Sequence, residues 1–186
     1  MRPPPGRPEA DSSSDVHPIA FDAPLEALAE CHGRLQRQCA ELLRLKSRLA
    51  FSGPDAAASA TAGKLRREFD LETAHLHRDE EQSLFPALLE SMAGSDAVCI
   101  RQMIDARAEE HREIELRWLA LGQWLEAVEH GHPAVPEPGA VDSFVSLCRR
   151  HLEQEDQELL PMAERLLSDA ALAEIAEAMR RRHESA

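Results

Sequence analysis

Two histidine–glutamate pairs in this chain have the spacing of metal ligands. His77 and Glu81 lie in HLHRDEEQSLFP (residues 75–86), and His151 and Glu155 in HLEQEDQELLP (residues 151–161). Four residues apart on an α-helix, the members of each pair share a face, with Cβ atoms about 6 Å apart. That face is the apolar one. Phe144, Cys148, His151, Glu155 and Met162 recur at helical intervals, as do His77, Glu81, Leu84 and Leu88. An imidazole and a carboxylate buried together cost several kcal/mol unless something neutralises them. A metal ion does so for both at once.

Two more histidines occupy equivalent places. His32 is central to the stripe Leu25, Leu28, Leu35, Cys39, Leu42 and Leu49. His111, in EEHREIE, is central to Ile104, Ile114, Trp118, Leu121, Leu125 and Val128. Four imidazoles and two carboxylates form a nitrogen/oxygen donor set that suits iron, manganese or zinc, and six side chains are too many for one tetrahedral zinc. They suit two ions bridged by the glutamates. Two octahedral ions offer about twelve positions, of which these side chains fill about eight. Water, an oxo or hydroxo bridge, a further carboxylate or a small ligand such as dioxygen, peroxide or nitric oxide would take the rest. Glu115, one turn after His111, and Glu80, beside Glu81, are the nearest additional carboxylates.

Four helices must carry these residues. The first begins near Asp22, a capping residue, with Pro24 in its first turn, and ends at FSGPD (51–55). The second runs from about Ala57 to Met92, with Pro86 inside it as a source of a kink. Ala93-Gly94 breaks the chain, and Ser95 or Asp96 can cap the third helix. GHPAVPEPG (131–139) is a loop, and the fourth helix starts near Ala140. Ser168-Asp169 caps a short last helix, expected to pack on the outside. The predicted fold is all-α: an up-down-up-down four-helix bundle with a short C-terminal extra helix, over residues 21–186. Residues 1–20, with Pro3, Pro4, Pro5, Pro8 and a serine run, read as a disordered tail.

Bulk properties narrow the partners. Of 186 residues, 21 are Lys or Arg and 34 are Asp or Glu, a net charge of −13 that disfavours nucleic acid and anionic membrane surfaces. No apolar run approaches the roughly 18 residues of a membrane span. The N-terminus lacks the apolar core of a secretion signal, so a cytoplasmic location is expected. Cys31, Cys39, Cys99 and Cys148 form no C-x-x-C pair and read as reduced, mostly buried thiols.

As an ordered set on four helices, ECHGRL, HLHRDEEQSLFP, EEHREIE and HLEQEDQELLP resemble the hemerythrin-like, or HHE cation-binding, domain, over residues 22 to about 167. The resemblance implies a bundle holding two non-haem iron ions, with zinc or manganese as alternatives, and ligands at His32, His77, Glu81, His111, His151 and Glu155. It implies binding of, or reaction with, dioxygen, peroxide or nitric oxide, in sensing or scavenging. Iron handling, or a metal-stabilised interaction module without turnover, is the second reading. The sequence leaves enzymatic turnover and homo-oligomerisation open. There are two departures, the first from the oxygen-carrying members. Those have His-x-x-x-His in the third helix, where this chain has Glu115. And Glu81 precedes Pro86 by five residues, whereas Glu155 precedes Pro161 by six. Proline register would therefore match Glu80, not Glu81, to Glu155; helical spacing from His77 favours Glu81, with His75 and Glu80 as the alternative pair.

Overall fold

The computed structural model describes residues 22–91 and 96–184; the tail expected over residues 1–20 and the break at Ala93-Gly94 lie outside them. The described residues are helical with no strand. The elements are α1 (Pro24–Ser52), α2 (Ala56–Asp79), a π-helical turn π1 (Glu80–Leu84), α3 (Phe85–Glu90), α4 (Asp96–Glu129), α5 (Ala140–Gln154), a second π turn π2 (Glu155–Leu159), α6 (Leu160–Leu166) and α7 (Asp169–Glu184). Chain continuity makes four rods: α1, α2–π1–α3, α4 and α5–π2–α6. α1 packs on α2 and α5, α4 packs on the same two, and α7 lies against α1, α2 and π1. No described helix is long and apolar enough to cross a membrane.

Local chemistry sets most of the boundaries. Pro24 sits in the first turn of α1, where its missing N–H is no loss. Asp22 does not cap that helix; the cap position is Ala23, and Asp22 Oδ1 instead accepts from Arg180 Nη2 of α7 at 3.1 Å. α1 stops at Gly53, whose φ of 71° is open to glycine, and Asp55 Oδ1 then caps α2 by accepting from the Ala58 N–H at 2.7 Å. Ser168 Oγ does the same for α7.

The rod carrying His77 is not simply kinked at Pro86. Proline lacks an N–H, and its ring collides with the carbonyl four residues back. Here the preceding turn has widened: the Phe85 N–H bonds the Glu80 carbonyl, and the Leu160 N–H ahead of Pro161 bonds the Glu155 carbonyl, both five residues back. Each wide turn alters the phase of the buried face. Beyond Glu155, the buried residues of π2 and α6 are Leu159, Leu160 and Ala163, while Met162, expected inside, is only partly covered. The stripes of α1 and α4 are buried as their spacing predicts, with Leu25 and Leu49 partly covered at the ends of α1. Phe69, Trp118 and Phe144 meet in one aromatic layer, Phe69 and Trp118 having centroids 4.2 Å apart. Cys31, Cys39 and Cys148 are buried and Cys99 is exposed; all four are free thiols.

Candidate metal centre

Each rod delivers one buried imidazole to a single layer: His32 from α1, His77 from α2, His111 from α4 and His151 from α5. Two carboxylates join them, Glu155 from π2 and Glu80 from π1, both wholly inaccessible to solvent. His77, His111 and His151 form one group with ligand atoms mutually within 4.8 Å, and His32, Glu80 and Glu155 form another. The glutamates connect the groups. Glu80 Oε1 lies 3.5 Å from His32 Nε2, and its Oε2 lies 3.2 Å from His111 Nε2. Glu155 Oε2 lies 3.5 Å from His32 Nε2 and 3.3 Å from His151 Nε2, and its Oε1 is 3.7 Å from His111 Nε2.

Glu81, expected as the partner of His77, is not in this layer. Its carboxylate sits at the margin, 42% exposed, and accepts from His111 Nδ1 at 2.8 Å. The wide turn is the physical reason. The expectation assumed a continuous α-helix, in which Glu81 follows His77 around one face; π1 begins at Glu80 and turns that residue inward instead. Glu115 also stays outside, accepting from His77 Nδ1 at 2.9 Å. His75 is remote from the layer, with its ring against His183.

Spacing along the chain missed the outer ring of carboxylates. His32 Nδ1 donates to Asp156 Oδ1 at 2.6 Å, and His151 Nδ1 donates to Glu110 Oε2 at 2.9 Å. With His77–Glu115 and His111–Glu81, all four imidazoles give Nδ1–H to a carboxylate and turn Nε2 inward. This is how metal-ligating histidines are commonly oriented, the outer acceptor fixing the ring and its tautomer. The two His-x-x-x-Glu motifs of α2–π1 and α4 work reciprocally, each glutamate reaching across to the other rod's histidine.

The inner atoms have no such partners. Nε2 of His32, His111 and His151, and both oxygens of Glu80 and of Glu155, are buried without a hydrogen bond. Buried polar atoms are nearly always satisfied, and orphans cost about 1–3 kcal/mol each, more when charged. Seven converging on one small volume describe a cradle for cations.

The electrostatics agree. Burial disfavours charge on His32, but the carboxylates of Asp156 and Glu80 more than reverse this and hold the imidazolium to about 10. His111 is likewise opposed by burial and raised to about 10 by Glu155 and Glu80. Burial would raise Glu80, yet His111 and His32 pull it well below the usual carboxylate range. Glu155 is pushed up to about 7 by burial and by Glu80. Burial drives His151 down to about 2, and burial with neighbouring His111 lowers His77. Without metal, the layer thus keeps positive charge on His32 and His111, while His151 and His77 stay neutral.

The model of the hemerythrin HHE cation-binding domain matches residues 23–163 of this chain. An uncharacterised protein of Haemophilus influenzae is 25% identical over 164 residues, covering 88% of this chain and 92% of the relative. The match takes in all six inward-facing side chains and ends before α7.

Proposed function

From the premise that the chain belongs to the hemerythrin HHE cation-binding domain family, we propose that its buried layer is a dinuclear non-haem iron centre that binds or reacts with dioxygen, peroxide or nitric oxide. Metal binding is the family's property; the nuclearity, the iron and the small ligand are our reading. The observation that carries it is the set of seven orphaned inner atoms, each imidazole among them backed at Nδ1 by a carboxylate. The donor set fits a mixed nitrogen/oxygen pair of ions. The assigned ligands are His32, His77, His111 and His151, with Glu80 and Glu155, which are grouped with His32 and approach His111 and, for Glu155, His151. The reading takes the four rods as an up-down-up-down bundle, which the short connections and the closed ring of packing support.

When bound, such an iron pair supplies a positively charged redox site for a small ligand. The protein's residues do the rest. Glu80 and Glu155 would offset part of the positive charge of the ions. Asp156, Glu115, Glu81 and Glu110 keep the imidazoles oriented and raise their basicity. Phe85, at 5.9 Å from the His111 ring, supplies an apolar neighbour. His77 is the most accessible of the four imidazoles at 5% exposure, so a small ligand would approach at the corner it shares with Glu115.

The deciding experiment is elemental analysis of protein purified without air, followed by optical spectra on exposure to oxygen and then peroxide. Two irons per chain with ligand-to-metal bands that respond to either oxidant are expected. Bands that reverse on removing oxygen support carriage or sensing; bands that persist support scavenging. Stoichiometric zinc with a silent spectrum would overturn the redox reading in favour of a metal-stabilised module.

A further inference from the structure

The helix α7 lies outside the stretch that matches the family model, yet it ends against the turn that turns Glu80 inward. Asp79, the residue just before Glu80, is buried, and both its oxygens are held from α7. Oδ1 accepts from Arg182 Nε at 2.8 Å, and Oδ2 lies 3.0 Å from His183 Nε2. The other arm of the Arg182 guanidinium, Nη2, donates to Ser83 Oγ at 2.8 Å. One planar fork therefore spans π1, gripping it immediately before Glu80 and three residues after it. Lysine places its donors on one nitrogen and lacks this rigid fork.

This grip bears on metal binding because Asp79 and Glu80 are successive carboxylates on one turn, facing different directions. If the turn rotated, Asp79 would swing toward the ions and Glu80 away. Tying Asp79 outward keeps Glu80 inward and removes a competing carboxylate from the layer. The second wide turn has a parallel device. Gln154, just before Glu155, has its Oε1 held by Arg107 Nη1 at 2.7 Å, and the same guanidinium lies 3.2 Å from Glu110, the acceptor for His151.

We propose that α7 is a clamp on the metal-binding turn and that Arg182 is its positioning residue, acting through Asp79 and Ser83 to hold Glu80 in the layer. The proposal rests on the metal reading above. Its test compares wild type with Arg182→Met, Arg182→Lys and Met179→Ala, each loaded with ferrous iron under nitrogen and then mixed with a ferrous chelator. Met179 is buried one turn before Arg182, so its truncation weakens the docking of α7 without touching Asp79. Arg182→Met should release iron about 10–100-fold faster, the scale of losing an outer-shell support. Arg182→Lys should fall between it and wild type. Met179→Ala, which loosens α7 but keeps the Arg182 fork, should lose thermal stability and speed iron release by much less than Arg182→Met does. Wild-type release from Arg182→Met, or equal acceleration in Met179→Ala, overturns the clamp alone. A wild-type chain that takes up no metal overturns the metal reading, and the clamp with it.

Discussion

Glu80 and Glu81 are adjacent and chemically identical, and they differ only in the direction their turn points them. One is sealed between His32 and His111; the other lies at the margin on His111 Nδ1. Their substitutions should therefore have different outcomes. Glu80→Gln removes one of two inner charges and should cost at least one bound ion per chain after desalting. Glu81→Gln keeps the inner donors and should retain both ions at an affinity lower by about 10–100-fold. Loss of an ion from Glu81→Gln with both ions kept in Glu80→Gln would return the assignment to Glu81. The imidazoles lead to a pH prediction. The ordinary value is 6.5, and in the metal-free fold His32 and His111 titrate near 10. The stability from their raised values is present in full below pH 6.5 and is lost as pH rises through about 10. The thermal midpoint of metal-free protein should fall across that window. Metal must displace the same protons, so its affinity should rise with pH over the same range. A metal affinity that does not change between those values would count against both histidines as ligands.

The elements turn on two prolines. Pro86 and Pro161 each stand six residues after an inward glutamate, Glu80 and Glu155, and each follows a turn closed by a five-residue hydrogen bond. That register is visible in the sequence, where it competes with the i,i+4 spacing of His77 and Glu81. Spacing rules assume 100° per residue, and a π turn breaks that assumption only locally, so the rule holds for His151–Glu155 and fails for His77–Glu81. Pro86→Ala restores an N–H for the Gln82 carbonyl and removes the ring that excludes an ordinary α turn. Helix content by circular dichroism should stay the same while metal affinity falls, because Glu80 is no longer held at its angle. An unaltered metal titration would mean that packing around π1, not the proline, sets the turn.

For the whole molecule, the metal layer and the apolar core share the same space. Glu80, Glu155 and His32 are as inaccessible as Leu84, Leu88 and Leu125. Without metal, two buried carboxylates are met only by the imidazoliums of His32 and His111, all taken out of water at a desolvation cost that bound ions offset, so occupancy and folding are linked. Stripping metal with a chelator should lower the thermal midpoint, by the equivalent of about 4 kcal/mol where free metal stood about 1,000-fold above its dissociation constant. An identical calorimetric transition with and without metal would separate the layer from stability. The net charge of −13 favours cations over anionic partners in general, and the six carboxylates around this layer concentrate that preference.

The helices, their buried stripes and the inward setting of His32, His77, His111 and His151 are written in local periodicity, because a helix is closed by hydrogen bonds within its own segment and its apolar face follows from residue spacing. The identity of the inner glutamate on the second rod is not, nor is the pairing of Asp156 with His32, Glu115 with His77 or Glu110 with His151. Neither is the hold of Arg182 on Asp79, more than a hundred positions away. Those contacts join side chains on different rods, and their geometry exists only once packing has brought the rods together and two turns have widened to admit a proline.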